Sequence, residues 1–491
     1  MLKRIRTILA AVVFILITLL FLDFTGTAHH WLSWMAKVQF LPAVLALNVS
    51  VVVMLIVLTL IFGRIYCSVI CPLGVFQDIL ARFHRKKNKY GYSKEVRWLR
   101  YPVLVVFVIA LVAGVGSFFQ LLAPYSSYGR IATMIFQPLW MLGNNVLAVI
   151  AERADSYAFY SVDVWMKSLP VFIIALVTLV VLFVLAWRGG RTYCNTICPV
   201  GTTLSFFSRF SLLKICFDAD KCKNCSMCSR NCKAACIDYK THTVDYSRCV
   251  VCGNCISNCK FGALKYSRRT SRTSPASSSS SVDTSKRSFL LASAMVAGAA
   301  MAQKKEKLMD GGLAELDDKV APERQTPLTP PGSLSFQHFA QRCTGCQLCV
   351  SECPNHVLRP SGDLMHLMLP EMSYEHGYCR PECTRCSEVC PAGAIKVVDK
   401  PEKSSVQIGH AVWIKKNCVV LTDEVECGNC ARHCPSGAIE MVPLDPDNEE
   451  SPMIPAINEA ACIGCGACEY VCPSRPFSAI YVEGHEVHKK I

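Results

Sequence analysis

Ser285-Lys-Arg-Ser-Phe-Leu-Leu-Ala-Ser-Ala-Met-Val-Ala-Gly-Ala-Ala-Met-Ala-Gln303 stands between two cysteine-rich halves of the chain and decides how those halves are arranged. A basic pair precedes the apolar or small residues Phe289–Ala302, and the run ends in Ala-Met-Ala. This order of basic, apolar and small residues is typical of an export signal. We therefore expect the two halves to lie on opposite sides of a membrane. A small buried helix or a flexible hinge is the alternative interpretation.

This signal-like stretch resembles a twin-arginine signal in which Lys286 stands at the position of the first arginine. Such a signal suits a domain that is exported after it has folded around iron–sulfur clusters. Two outcomes stay open. Cleavage after Ala302 would release the C-terminal half, whereas retention would leave residues 285–303 as a short fifth span.

The composition indicates a membrane protein that binds metal clusters. The chain has 491 residues, of which 52% are hydrophobic, and 30 cysteines at Cys-x-x-Cys spacing, which favours clusters over a small disulfide scaffold. Residues 1–303 carry 33 Lys and Arg against 11 Asp and Glu, whereas residues 304–491 carry 18 against 26. A basic excess beside apolar runs is typical of membrane topology. No nucleic-acid motif accompanies it, so we expect no nucleic-acid partner.

Four long apolar runs predict four membrane spans, because a helix needs ~20 residues to cross a ~30 Å hydrocarbon core. The runs are Ile8–Leu22, Leu41–Phe62, Pro102–Phe119 and Leu169–Trp187. Lysines and arginines crowd the N-terminus and the link between the second and third runs, which places both in the cytoplasm. The loops over residues 23–40 and 120–168 are then expected on the other side. We predict a multi-pass protein of the bacterial inner membrane.

A near-repeat follows the second and fourth runs: Tyr66-Cys67-Ser-Val-Ile-Cys71-Pro-Leu-Gly74 and Tyr193-Cys194-Asn-Thr-Ile-Cys198-Pro-Val-Gly201. It indicates an internal duplication of two-span units, with a proline that suits a helix start. The four cysteines are candidates for an additional redox or metal site. A metal, a small iron–sulfur cluster, redox-active disulfides and four unligated thiols all stay open.

The next segment has the spacing of a bacterial two-cluster ferredoxin, in which the fourth cysteine of each set ligates the neighbouring cluster. We predict two 4Fe–4S sites, with the ligands Cys222, Cys225, Cys228 and Cys259, and Cys249, Cys252, Cys255 and Cys232. Cys236 is an alternative to Cys232. Lysine replaces the usual proline at Lys233 and Lys260, and the spacing makes a zinc ribbon the weaker interpretation.

The C-terminal half repeats this ladder four times, and a proline follows each fourth cysteine. The predicted ligands are Cys343, Cys346, Cys349 and Cys353; Cys379, Cys383, Cys386 and Cys390; Cys418, Cys427, Cys430 and Cys434; and Cys462, Cys465, Cys468 and Cys472. Sixteen thiolates match four further 4Fe–4S clusters, so the chain is predicted to hold six.

These motifs predict a multi-domain protein with a four-span, or five-span, α-helical membrane domain and α+β bacterial-ferredoxin-like domains. The predicted segments are the membrane domain (1–200), a cytoplasmic two-cluster ferredoxin domain (201–266), a Ser/Arg-rich linker (267–284), the signal-like stretch (285–303), a second linker (304–335) and a periplasmic four-cluster ferredoxin domain (336–491).

Residues 1–266 resemble the NapH-type membrane quinol dehydrogenase component, in their spans, two Cys-x3-Cys-Pro motifs and two-cluster ferredoxin domain. Residues 285–491 resemble the NapG/MauM-type periplasmic ferredoxin behind its twin-arginine signal. The resemblance implies electron transfer from quinol to periplasmic nitrate reductase, commonly through a haem protein. It also implies a nested ligand exchange, in which the first set is completed by Cys472, the second by Cys434, the third by Cys390 and the fourth by Cys353.

The function expected from both halves is oxidation of quinol, with menaquinol as the probable substrate, and delivery of electrons to a periplasmic reductase or multihaem cytochrome. A conduit from a cytoplasmic ferredoxin or NADH-linked donor and a redox maturation factor are the alternatives. No catalytic residue is assigned. Asp23, His29 and His30 are candidates for accepting quinol protons, although Trp31 and Trp34 favour an aromatic belt. The sequence predicts no complete electron path across the membrane.

Overall fold

A computed structural model describes residues 2–83, 90–114, 116–218, 220–268, 319–448 and 451–491. The signal-like stretch 285–303 lies outside these residues, as do residues 269–284 and 304–318 of the two predicted linkers. The chain divides into two units, Met1–Arg269 with Pro322–Ile491, and Thr270–Ala321. Only residues 319–321 of the second unit are described, and the account below concerns the first.

Helices make up the first 208 residues, as far as they are described. They are α1 (Leu2–Leu22), α2 (Thr27–Lys37), α3 (Phe40–Leu45), α4 (Val49–Phe62), α5 (Tyr66–Val69), α6 (Pro72–Leu80), α7 (Arg97–Val112), α8 (Gly116–Leu122), α9 (Pro124–Ile131), α10 (Gln137–Arg153), α11 (Leu169–Gly189), α12 (Thr192–Thr196) and α13 (Pro199–Ser208), with a π-helical turn over Ala132–Phe136.

Among the described residues, three helical segments are long and apolar enough to cross a membrane: Leu2–Leu22, Pro124–Arg153 and Leu169–Gly189. The first and last coincide with predicted spans. The second predicted run is divided between α3 and α4, and α4 has only 14 residues, or about 21 Å.

The prediction of a loop over residues 120–168 is wrong for residues 124–153, which are helical. Polar residues such as Ser126, Ser127 and Arg130 interrupt the apolar pattern of α9, so hydropathy did not reveal it. Every residue of α9 is buried, which shows that this helix is held by its neighbours rather than by lipid.

Matching elements surround the two Cys-Pro motifs. In each repeat a long apolar helix, α4 or α11, leads into a short helix that carries the first cysteine, α5 or α12. The second cysteine, Cys71 or Cys198, caps the N-terminus of the next helix, and proline occupies its first turn. The predicted role of these prolines at helix starts is confirmed.

Residues 212–268 form the N-terminal ferredoxin region. Its elements are β1 (Leu213–Phe217), α14 (Met227–Arg230), β2 (Ile237–Asp238), β3 (Thr243–Val244), α15 (Asn254–Asn258) and β4 (Leu264–Arg268). Two antiparallel sheets pair β1 with β4 and β2 with β3.

Residues 322–491 form the C-terminal ferredoxin region. Its elements are α16 (Phe336–Arg342), α17 (Leu348–Glu352), β5 (Leu358–Pro360), β6 (Pro370–Met372), α18 (Arg385–Val389), α19 (Lys400–Ser405), β7 (Val406–Trp413), a 3-10 turn (Lys415–Asn417), α20 (Val419–Thr422), α21 (Asn429–Arg432), β8 (Ile439–Pro443), β9 (Met453–Ile457), α22 (Ala467–Val471) and β10 (Ile480–Lys490). Its antiparallel pairs are β5 with β6, β7 with β10, and β8 with β9.

The two ferredoxin regions contact opposite ends of α11. At the C-terminal ends of α4 and α11, Tyr266 donates a 2.9 Å hydrogen bond to the Phe62 carbonyl, and the Arg191 amide donates a 2.8 Å bond to the Lys233 carbonyl. At the N-terminal end of α11, Pro170 lies 3.3 Å from the position that a Cβ on Gly362 would occupy. Because α11 has 21 residues, these ends are about 30 Å apart.

Candidate electron-transfer centres

The N-terminal ferredoxin region brings the predicted ligands together in two groups. One cavity is lined by Cys222, Cys225, Cys228 and Cys259, the first predicted set. The second set is buried, and Cys232 interacts electrostatically with Cys252 and Cys255. A hydrogen bond with Cys236, whose sulfur lies 3.5 Å away, lowers the pKa of Cys232. Cys236 also interacts with Cys249, so Cys232 and Cys236 both lie at this group.

Four groups of cysteines also form in the C-terminal ferredoxin region, and their composition corrects the nested exchange. The cavities are lined by Cys379, Cys383, Cys386 and Cys353, by Cys418, Cys427, Cys430 and Cys472, and by Cys462, Cys465, Cys468 and Cys434. Cys343, Cys346 and Cys349 neighbour Cys390.

The exchange therefore occurs between sets that are adjacent in sequence, the first with the second and the third with the fourth. The helix that carries the later cysteines of one set packs on its counterpart in the next, α17 on α18 and α21 on α22. Each pair of sets is thus a local two-cluster unit like residues 212–268. The nested arrangement would instead have required the first set to lie beside the fourth and the second beside the third.

The four cysteines of the two Cys-Pro repeats converge in one buried site. Each side chain is at most 4% exposed. Cys194 interacts electrostatically with Cys67, and Cys198 interacts with all three of the others. None of the four forms a disulfide. The prediction that both repeats contribute to a single site therefore has a geometric basis.

Two arginines that the sequence analysis did not assign cross between the repeats. Arg64 donates a 3.1 Å hydrogen bond to the carbonyl of Cys194, and Arg191 donates a 2.7 Å bond to the carbonyl of Cys67. Each arginine thus holds the first cysteine of the other repeat. A signal was available, because Gly-Arg precedes the Tyr-Cys pair in both repeats by the same spacing.

A buried ion-pair group lies beside this site. The Asp78 carboxylate, on α6, is 2.9 Å from Arg191, 3.2 Å from Arg6 and 3.3 Å from the Lys233 ammonium. Lys233 is the residue that replaces the usual ferredoxin proline. The lysine at this position therefore has a structural role, because its ion pair with Asp78 ties the N-terminal ferredoxin region to the helices.

The four-cysteine site is also joined directly to the loops of the N-terminal ferredoxin ligands. Arg64 donates a 3.0 Å bond to the carbonyl of Ser247, two residues before Cys249. The amide of Arg191 bonds to the carbonyl of Lys233, next to Cys232. Both arginines therefore contact the four-cysteine site and a ferredoxin ligand loop at once.

On its other side, the four-cysteine site is connected to the C-terminal ferredoxin region through α8 and α9. Tyr193, which precedes Cys194, donates a 2.8 Å bond to the Leu122 carbonyl. Gln120 donates a 2.9 Å bond to the Cys343 carbonyl. A Cβ on Gly129 would lie 2.2 Å from the Cys346 carbonyl, so only glycine allows this approach.

His29 lies buried against the C-terminal ferredoxin region rather than in an exposed aromatic belt. Its Nδ1 contacts Glu352 and lies 3.5 Å from Asp23, whereas its Nε2 has no hydrogen-bond partner in the described residues. Burial opposes a charge on His29, but the two carboxylates raise its pKa. Burial raises the pKa of Glu352, and His29 opposes that shift. His30, Trp31 and Trp34 are exposed.

The six ferredoxin groups fit 4Fe–4S clusters. Each offers four cysteine sulfurs, the donor set that such clusters require, and four of the groups surround a cavity. The four-cysteine site between the helices offers the same donor set.

Family models match both kinds of site. A 4Fe–4S binding domain model matches residues 44–90 and 170–215, which contain the two Cys-Pro repeats. Two 4Fe–4S dicluster domain models match residues 245–357 and 425–475. The double match of one model agrees with the internal duplication.

Several curated relatives are described as ferredoxin-type proteins. The methylamine utilization ferredoxin-type protein MauM of Paracoccus denitrificans is 31% identical over 33% of this chain and 73% of its own length. The ferredoxin-type protein NapG of Escherichia coli is 28% identical over 33% of this chain and 75% of its own. An uncharacterized protein of Methanocaldococcus jannaschii is 25% identical over 36% of this chain, which spans 54% of that relative. No solved structure matches.

Proposed function

Because this chain belongs to the ferredoxin-type 4Fe–4S proteins, we propose that it oxidises quinol in the membrane and delivers the electrons to a periplasmic reductase. It is an iron–sulfur electron-transfer protein, and the part of the chain that the structure describes has three helices long and apolar enough to cross a membrane. The identity of the donor and acceptor and the placement of the two ferredoxin regions on the cytoplasmic and periplasmic sides are parts of the proposal.

One observation supports the proposal: the four-cysteine site is hydrogen-bonded to the N-terminal ferredoxin region and is connected to the C-terminal ferredoxin region through α8 and α9. Arg64 links it to Ser247 at 3.0 Å, and Tyr193 with the α8–α9 segment links it toward Cys343. The sequence alone offered no path between clusters separated by a ~30 Å membrane core. A redox centre at this site would divide that distance into two steps.

The chain contributes the framework for this path. Cysteines hold each cluster, and a bound cluster accepts and releases one electron at a potential set by its charge and surroundings. The buried peptide and side-chain links keep water out and fix the spacing between neighbouring cysteine groups. This division of roles requires no nucleophile or acid/base residue at the clusters.

His29 is the residue that we expect at the quinol. It is 5% exposed and lies on α2, whose Trp31 and Trp34 project outward as interfacial aromatic residues do. Its Nδ1 is held by carboxylates, and we propose that its buried Nε2, which has no hydrogen-bond partner among the described residues, accepts a hydrogen bond from a quinol hydroxyl.

A second candidate donor is a soluble iron–sulfur protein that docks on the N-terminal ferredoxin region. Cys225 is the one exposed cysteine among those described, and Lys221, Lys223 and Lys260 are exposed around its cavity or in neighbouring loops. A basic surface beside an accessible cluster suits an acidic electron carrier. This observation favours the cytoplasmic-donor alternative over a maturation role.

The two candidates are separated by reducing the full-length protein, purified anaerobically in detergent, with a menaquinol analogue. EPR is recorded before and after addition, without any soluble donor. Quinol oxidation predicts new signals from reduced clusters and loss of the reduced quinol. A full iron load that quinol fails to reduce, but that a reduced soluble ferredoxin does reduce, would replace quinol with the second donor.

A further inference from the structure

The four-cysteine site is built as one unit from two copies of a longer motif than the cysteine spacing suggests. Residues 63–74 and 190–201 both read Gly-Arg-x-Tyr-Cys-x-x-Ile-Cys-Pro-x-Gly. We call these the first and second repeat. The arginine, the first cysteine and the last glycine, which both repeats share, make the contacts between the repeats.

Glycine at the end of each repeat makes room for the crossed arginines. A Cβ on Gly201 would lie 2.4 Å from the Cys194 carbonyl and 2.7 Å from a terminal nitrogen of Arg64. A Cβ on Gly74 would lie 2.2 Å from the Cys67 carbonyl and 3.7 Å from Arg191. Gly201 therefore leaves room for both the Cys194 carbonyl and the Arg64 guanidinium, whereas Gly74 leaves room for the Cys67 carbonyl.

The buried positive charge beside the four-cysteine site requires a negatively charged partner. Arg64 and Arg191 are both fully buried, at 0% exposure. Arg191 is paired with Asp78, but Arg64 has no carboxylate partner among the described residues, and the neighbouring Arg100 already pairs with Glu95. A buried cation without a counterion is strongly unfavourable.

The nearest candidate counterion is the sulfur of Cys67. It lies 3.8 Å from a terminal nitrogen of Arg64. Two disulfides or four protonated thiols would be neutral and would leave Arg64 uncompensated. Four thiolates around a metal centre keep a net negative charge at this place, because the thiolate rather than the thiol is the metal ligand.

We infer that the four cysteines of the two repeats bind one iron–sulfur cluster, and that Arg64 supplies the positive charge beside this cluster. The inference rests on the proposed function for its role, which is to relay electrons between the two ferredoxin regions. Each relay step moves a single electron from a reduced donor cluster to this centre and then to an oxidised cluster of the next region. No bond forms or breaks and no proton moves in the step.

The first test is a count of iron and acid-labile sulfide in the full-length protein purified anaerobically. Six ferredoxin clusters account for about 24 iron atoms, so a seventh centre requires a larger number. Cys71→Ser and Cys198→Ser are each expected to lower the count to about 24. A wild-type count of about 24, with the four cysteines found as disulfides or alkylated as free thiols, would overturn the inference. Zinc at the site would overturn it too.

The second test addresses the arginines through the midpoint potential of the additional EPR signal. Arg64→Gln removes a positive charge that stabilises the reduced centre, so its potential should fall by the equivalent of about tenfold in the reduction equilibrium, about 59 mV. Arg64→Lys should restore most of the shift. Arg188→Gln is the matched control, since Arg188 is an exposed arginine at the end of α11. An unchanged potential in Arg64→Gln would reject the role given to Arg64.

These tests fail separately from the proposed function. Iron content, cysteine state and potential are measured without quinol or reductase. A seventh centre that quinol does not reduce would leave the inference intact and remove the quinol donor. Reduction by quinol of a protein that holds only about 24 iron atoms would support the quinol donor and overturn the inference.

Discussion

The two repeats have matching backbones and cysteines, but the helices that follow them carry different charges. Asp78 on α6 occupies the place that Ser205 occupies on α13, counted from the cysteine before each helix. Asp78 neutralises Arg191, whereas Ser205 uses its hydroxyl to bond the Thr202 carbonyl at 2.6 Å and leaves Arg64 without a carboxylate. The duplication thus supplies a symmetric set of sulfurs, but the charges differ. Arg191 is paired with Asp78, whereas Arg64 has no carboxylate partner among the described residues.

This difference separates two tasks that a symmetric site would share. The Asp78 side fastens α1, α6, the second repeat and the N-terminal ferredoxin region through Arg6, Arg191 and Lys233. The Arg64 side keeps a positive charge beside the sulfurs, where it favours a more reduced centre. We expect substitutions on the first side to change stability and those on the second to change redox properties.

The largest effect is expected from the cysteines themselves. Cys71→Ser and Cys198→Ser lie on different repeats, and each should remove the same iron and sulfide, because both complete one centre. The double variant should lose no more than either single variant. Elemental analysis of the three proteins gives the answer, and additive losses would show that the repeats hold two independent sites.

The second-largest effect should distinguish Asp78 from Ser205, which occupies the same place after the second repeat. Asp78→Asn leaves the buried Arg6 and Arg191 and the partly exposed Lys233 without their shared carboxylate and is expected to lower the free energy of unfolding by about 3 to 5 kcal/mol. Ser205→Ala removes only a hydroxyl bonded within its own helix and should cost about 1 kcal/mol or less. Thermal unfolding in detergent compares the two variants. Equal losses would contradict the division of tasks.

Replacing the last glycine of either repeat with alanine should lower the free energy of unfolding by a similar amount. Gly74→Ala and Gly201→Ala each place a Cβ within 2.4 Å of a backbone carbonyl, which the helices must move apart to accommodate. The expected loss is about 1 to 3 kcal/mol, together with part of the additional iron. Gly143→Ala is the control, because a Cβ there meets nothing within 4 Å. A stable Gly201→Ala with full iron would rule out the close crossing.

The smallest effect should separate the two lysines that replace the ferredoxin prolines. Lys233→Met breaks one of three ion pairs of Asp78, and we expect a loss of about 1 kcal/mol and weaker attachment of the N-terminal ferredoxin region. Lys260 is exposed, so Lys260→Met should change nothing measurable. Limited proteolysis between residues 208 and 268 detects the difference. Identical digestion of the two variants would deny Lys233 its docking role.

Sequence alone predicted the parts of the sites that depend on local spacing. The ferredoxin ligand sets of residues 222–259 and the prolines at the starts of α6 and α13 follow from patterns within a few turns of chain. The helix over residues 124–153 was missed because Ser126, Ser127 and Arg130 dilute its hydropathy, and burial rather than lipid accommodates them.

The contacts between distant segments could not be predicted in the same way. Hydropathy and spacing do not show that Arg64 reaches Cys194, a residue 130 positions away, or that Asp78 meets Lys233. The ligand exchange of the C-terminal region failed for a related reason, since the family resemblance gave a nested order and the packing of α17 on α18 chose the local one. The Gly-Arg pair that precedes Tyr-Cys in both repeats was a sequence pattern that could have pointed to these arginines.

The central claim is that electrons pass between the ferredoxin regions through the four-cysteine site. Full-length protein reconstituted in liposomes, with ferricyanide enclosed and dithionite added outside, tests it directly. Wild-type protein should bleach the enclosed ferricyanide, and Cys198→Ser should do so no faster than protein-free liposomes while keeping its ferredoxin clusters. Equal bleaching by wild-type and Cys198→Ser would contradict the account.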